Sequence, residues 1–219
     1  MLSFAEENYL KSIYHLSEAG KLGVSTNTIA SNMHTRPASV SDMIRKLDKK
    51  GVISYVKYQG VKITGQGKKE ALRVIRKHRL WEVFLVKHLR FNWDQVHEVA
   101  EQLEHIKSPL LIKRLDKFLG YPKFDPHGDP IPDENGIMND KPRVPLAKVK
   151  VGKEGIVVAV KDSEAAFLRY LDKIGAKLGT NIKVLDRIAY DGSVEIQLGG
   201  NKTLYISEQA SQNILITEL

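Results

Sequence analysis

The chain has 219 residues, 42% hydrophobic and 27% charged, and no cysteine, which excludes a disulfide framework, a thiolate nucleophile and a thiolate metal site. No run approaches the roughly 20 apolar residues of a membrane span, and the acidic, amphipathic start MLSFAEENYL is unlike a signal peptide, so the expected setting is a reducing cytoplasm. The net charge of +8 is localised: from Arg36 to Arg79, 13 Lys and Arg stand against Asp42, Asp48 and Glu70, which points to a nucleic-acid partner rather than a membrane.

Ser3 and Glu6 have the spacing of a capping box and open a first helix, whose apolar stripe includes Phe4, Leu10, Ile13 and Tyr14, with Gly20 beyond its end. Ser25 opens a short second helix, and Thr35-Arg36-Pro37 a third that stops at Gly51. Two short helices across a tight turn form a helix-turn-helix pattern. In the third helix Val40, Ile44 and Leu47 face inward, while Arg36, Ser39, Asp42, Lys46 and Lys49 line the outward side. That side offers hydrogen-bonding groups for base edges and lysines for phosphates. The stretch ISYVKYQGVKIT then reads as a basic hairpin, with Lys57, Tyr58 and Lys62 near its tip. A helix-turn-helix followed by such a hairpin is a winged helix. Arg36, Ala38, Ser39, Asp42, Lys46, Lys49, Lys57 and Tyr58 are the candidate DNA contacts.

Thr64 caps a long helix of roughly residues 66–88, in which His78 and Glu82 share a face. After a break at 90–93, His97, Glu101, Glu104 and His105 fall at steps of four, seven and eight, which collects them on one face of the next helix. Val96, Val99, Ala100, Leu103 and Ile106 form its separate apolar face. No Lys or Arg interrupts 97–105, unlike an ordinary solvated helix with alternating charge. Carboxylates and imidazoles without sulfur suit a divalent cation. Ser108-Pro109 opens a further helix stopped by Gly120, and the wide apolar coverage of these helices suits a dimer interface.

Residues 121–145 hold six of the eight prolines and read as an extended tether. His127 and its neighbouring acids imitate a metal site there, but Pro-Gly sequence rarely holds ligands rigidly, and they are not counted as ligands. From Ala147 short strands around one helix, AAFLRYLDKIG, suggest a small, partly open barrel. The expected fold is mainly α with small β parts. The expected domains are a winged helix-turn-helix (1–72), a helical dimerisation and metal-binding domain (73–122), a proline-rich tether (123–146) and a small, partly open β barrel (147–219).

The blocks ENYLKSIYHL, RPASVSDMIRKLDKKG, RKHRLWEVFL, VHEVAEQLEH and DPHGDPIP, in this order, resemble the diphtheria toxin repressor family of metal-dependent transcriptional repressors. The resemblance covers the whole chain and is nearer the manganese- and iron-sensing branch. It implies that the barrel at 147–219 is an SH3-like domain. It also implies a homodimeric repressor of metal-uptake genes that binds operator DNA and takes Mn(II) or Fe(II) at two sites per subunit. His78, Glu82 and His97 match one site, completed from the C-terminal domain by Asp162, or else Glu164. Glu101, Glu104 and His105 match the other, with Asn8 at the first-helix position normally held by Asp or Met. Lys11 stands where some manganese-type members have a second acid. Two rival readings are a winged-helix regulator with vestigial metal sites, suggested by Asn8 and Lys11, and a carboxylate–His metalloenzyme, which leaves the basic block unexplained. No small-molecule substrate is implied.

Overall fold

The computed structural model describes residues 2–56, 60–138, 142–200 and 202–219. The chain packs as two compact units, one of Met1–Trp81, Glu101–Leu115 and Pro132–Met138, the other of Glu82–Ala100, Asp116–Ile131 and Asn139–Leu219.

In the first unit, helix α1 (Phe4–Leu16) starts at a reciprocal capping box between Ser3 and Glu6. It buries Leu10, Ile13 and Tyr14 against α2 (Thr26–Asn32) and α3 (Pro37–Lys49), which contribute Ile29, Val40, Ile44 and Leu47 to one core. The wing is the antiparallel pair β1 (Ile53–Val56) and β2 (Gly60–Ile63), registered Ile53 to Ile63, and Val24 bridges to Val61 beside it. Helix α4 (Gly65–Leu89) follows, with the Thr64 hydroxyl accepting the Gly67 N–H at 3.1 Å. Its residues up to Trp81 belong to the first unit and the rest to the second. Helix α5 runs Val96–Leu103 and α6 Pro109–Phe118.

The second unit is built on a six-stranded antiparallel sheet in the order β3-β8-β4-β5-β6-β7. Its strands are β3 (Val144–Pro145), β4 (Glu154–Val160), β5 (Asn181–Arg187), β6 (Val194–Leu198), β7 (Lys202–Ile206) and β8 (Ile214–Glu218). Helix α7 (Ala165–Ile174) covers one core face with Leu168 and Leu171 and ends on left-handed Gly175. The sequence reading expects one helix here. A second, α8 (Glu208–Asn213), is short enough to escape periodicity and is set by the Ser207 cap on Ala210 N–H.

The proline-rich stretch differs from the expected tether. Asp125, His127 and Ile131 are buried, Phe124 bridges to Pro130, and the His127 carbonyl accepts the Val160 N–H of β4 at 3.0 Å. Gly128 makes this docking possible. Its φ is +87°, and a Cβ there would stand 2.0 Å from the Val158 carbonyl oxygen. Pro126 and Pro130 stand in a turn that packs, held by the Phe124–Pro130 bridge and by the Val160 N–H donated to the His127 carbonyl.

Candidate metal centre

Within the second unit, Glu82 of α4 is 2% exposed and draws ligand-type groups from two other segments. His97 on α5 places Nδ1 3.8 Å from Glu82 Oε1. His127 places Nδ1 3.6 Å from Glu82 Oε2 and is itself 4% exposed. Ligand atoms of Glu82, Asp125 and His127 all lie within 4.8 Å of one another.

The His127 ring is set from behind. Its Nε2 lies 2.8 Å from the Trp93 carbonyl oxygen, which can only accept, so Nε2 carries a proton and Nδ1 is the face turned to Glu82. The Trp93 indole stacks on the ring at 6.0 Å and 14°. A carbonyl that fixes the tautomer in this way is the usual support of a metal-binding imidazole. Asp125 Oδ1 accepts the N–H groups of His127 and Asp129 at 2.8 and 2.9 Å, which holds the turn in shape. Burial alone would lower the His127 pKa. The hydrogen bond and charge of Glu82, with Asp125 adding to them, outweigh it and raise the value from 6.5 to about 9. The field at this point therefore favours a cation, and buried oxygen and imidazole donors without sulfur fit a divalent metal ion.

His127 and Asp125 are ligand-type residues that the sequence reading sets aside. The local signal for them is Asp-Pro-His-Gly-Asp, an Asx turn able to fix both side chains. The residue expected from the C-terminal domain is placed otherwise. Asp162 Oδ1 turns back on its own loop to accept the Glu164 N–H at 2.8 Å, and Glu164 is the N-cap of α7. Among the described residues neither belongs to a group of three ligand atoms within 4.8 Å.

In the first unit the second expected set is arranged differently from a shared helix face. Helix α5 ends at Leu103, so Glu104 and His105 lie in the turn beyond it. Pro109, four residues after His105, already constrains the backbone that follows. Glu104 is 0% exposed and His78 Nδ1 lies 2.6 Å from its Oε2, one turn before Glu82 on α4. Lys11 Nζ donates to both Glu104 oxygens at 2.7 and 2.8 Å and to Glu101 Oε1 at 3.3 Å. Burial would raise the Glu104 pKa, but His78 and Lys11 overcome it and hold the carboxyl below its ordinary value. His105 Nδ1 is 2.6 Å from Glu7 Oε2, and its ring stacks on Phe4 at 4.7 Å. The Asn8 Oδ1 atom is buried with no hydrogen-bond partner among the described residues. An orphaned carbonyl oxygen among carboxylates and imidazoles is what a ligand position looks like before a cation reaches it. As a set, Glu101, Glu104 and His105 do not converge within 4.8 Å; their side chains contact Lys11, His78 and Glu7.

Comparison with known proteins bears on these sites. Family models match in series: the iron dependent repressor N-terminal DNA binding domain over residues 1–61, the iron dependent repressor metal binding and dimerisation domain over 64–133, and a FeoA domain over 144–218. The iron-dependent repressor IdeR of Mycobacterium tuberculosis is 33% identical over 224 residues, 97% of this chain and 96% of IdeR. The chain belongs to the diphtheria toxin repressor family of metal-dependent transcriptional repressors. The diphtheria toxin repressor of Corynebacterium diphtheriae is 27% identical over 97% of this chain and 96% of its own. A solved manganese-dependent transcriptional repressor in complex with manganese superposes with a TM-score of 0.88 at 35% identity, covering 98% of this chain and all of that one. The manganese regulator SloR gives 0.77 at 34% identity, covering 98% of each. The fold is accordingly the winged helix, helical domain and SH3-like domain of this family.

On the repressor's third helix, Arg36, Ala38, Ser39, Asp42, Lys46 and Lys49 are all exposed. Asp42 is paired with Arg45 one turn on, so it presents a fixed acceptor rather than a loose charge. Lys57 and Tyr58 lie outside the described residues.

Proposed function

We propose that this repressor is activated by Mn(II) or Fe(II) at two sites per subunit and acts in the cytoplasm. As a homodimer it would bind pseudo-palindromic operators of metal-uptake genes. The buried Glu82–Asp125–His127 cluster carries the reading, since its donors are all oxygen or imidazole nitrogen. Glu82, Asp125 and His127, with His97 beside them, hold one ion. Asn8, Glu101, Glu104 and His105 hold the other and so join α1 to the turn after α5. A bound dication supplies the positive charge that lets these carboxylates share one point. Helix α6 leaves Leu110 59% and Phe118 62% exposed, an apolar surface suited to a second copy. Two recognition helices about 34 Å apart could then enter successive major grooves. Metal and DNA would favour the same conformer, so each must tighten the other by the same factor.

Fluorescence anisotropy on a promoter duplex, titrated with Mn(II) or Fe(II) after chelation, tests this reading. Binding that ignores both metals would leave the vestigial-site alternative standing.

The DNA face makes its own prediction. Lys46→Ala should weaken binding to every sequence and reduce the salt slope by about 1, whereas Ser39→Ala should change sequence preference. A Lys46 variant that shifted preference at an unchanged slope would reverse the docking.

Asn8 makes another. Asn8→Asp adds a charge to an oxygen already placed and should lower the Mn(II) concentration for half-maximal DNA binding by about tenfold. Asn8→Ala should raise it. Unmoved midpoints in both variants would remove Asn8 from the ligand set.

A further inference from the structure

We infer that Lys11 is the resident cation of the second centre: its ammonium latches α1 to Glu104 and Glu101, and a dication enters there only by displacing it. The inference rests on reading Glu101, Glu104 and His105 as that centre's ligands. It starts from helical spacing. Glu7, Asn8 and Lys11 lie at steps of four and three, so one face of α1 presents an acid, a neutral oxygen and a cation together. The Lys11 side chain is only 15% exposed, and the Glu104 side chain it meets is fully buried.

An ammonium has three N–H donors. Lys11 has one contact for each, at 2.7 and 2.8 Å to the two oxygens of Glu104 and 3.3 Å to Glu101 Oε1. This is a chelating arrangement rather than a passing surface pair. The remaining groups are matched as well: His78 lies 2.6 Å from Glu104, His105 lies 2.6 Å from Glu7, and Lys77 Nζ lies 3.9 Å from Glu7. Only the Asn8 oxygen, buried and without a partner among the described residues, is left to receive an ion.

A tethered monovalent cation at the point where two carboxylates meet has two consequences. It holds α1 to the turn after α5 without metal. It also competes with any dication, which must expel a half-buried, paired ammonium before it reaches Glu104. The Glu82–Asp125–His127 cluster contains no lysine, so it should fill first.

Equilibrium dialysis of the full-length chain against Mn(II) alone tests this without reference to DNA. The wild type should take up one equivalent tightly and a second at higher concentration. Lys11→Met should tighten the second equivalent by about tenfold or more, and should lower the melting temperature of the chelated protein. Lys11→Arg keeps the charge and should leave the second equivalent weak. If Lys11→Met does not fold, Lys11→Gln, which retains the stem and a donor, is measured in its place. A second equivalent no tighter without the lysine, or absent in both proteins, would overturn the inference. Failure of metal-dependent DNA binding would count against the proposed function and leave these binding isotherms readable.

Discussion

Glu82→Gln is expected to weaken tight Mn(II) binding by about 100-fold or more, since losing even a supporting partner of a metal ligand costs about 10- to 100-fold. The amide preserves the volume of a residue that is 2% exposed, so packing against α5 should survive. It removes the charge facing His97 Nδ1 at 3.8 Å and His127 Nδ1 at 3.6 Å. The chelated protein should register the loss as well. His127 has its pKa raised from 6.5 to about 9 by Glu82, against the opposing pull of burial. A raised imidazole stabilises the fold fully below its unfolded value and loses that contribution as pH climbs through the folded one. The displacement corresponds to about 3 kcal/mol. The gap in stability between wild type and Glu82→Gln should therefore be widest below about pH 6.5 and close by about pH 9. Chelated melts across that range, with isothermal titration of Mn(II), check both effects. A gap that widened with pH would mean that His127 is held neutral.

Much of the fold was legible because its signals are local. The Ser3–Glu6 capping box, Ser25, Pro37 and Thr64 mark helix starts within three residues of what they cap, and the structure places helices there. The alternation of β4 to β6 is as direct. What escaped depends on distant partners. His127 reads as part of a loose proline-rich segment until β4 pairs with its backbone and Trp93 fixes its ring. Lys11 reads as one more surface charge until a contact 93 residues away gives it Glu104. Glu7 and His105 are 98 residues apart. Helical periodicity also overreached: it carried Glu104 and His105 along α5, which stops at Leu103.

Glu104→Ala should cost the chelated protein about 3–5 kcal/mol, because removing one partner of a buried ion pair leaves the other uncompensated. Glu104 is wholly buried, and its two oxygens hold Lys11 and His78 at 2.6 to 2.8 Å. Without it, His78 Nδ1 loses its 2.6 Å contact, and Lys11 keeps the longer one to the exposed Glu101 at 3.3 Å. Glu104→Gln keeps the shape and one acceptor, so its cost should fall to about 1–3 kcal/mol, the range for a damaged buried hydrogen bond. Both variants should lose metal-stimulated DNA binding, since neither offers a carboxylate at position 104. The distinction lies in the melts: stability in urea should follow wild type, then Gln, then Ala. Pairing the substitutions sharpens the test. Once Lys11 is Met, truncating Glu104 no longer strands an ammonium, so the double variant should be more stable than the sum of the single losses implies. Additive losses would mean that Lys11 and Glu104 do not depend on each other, and that the buried carboxylate is held by His78 alone.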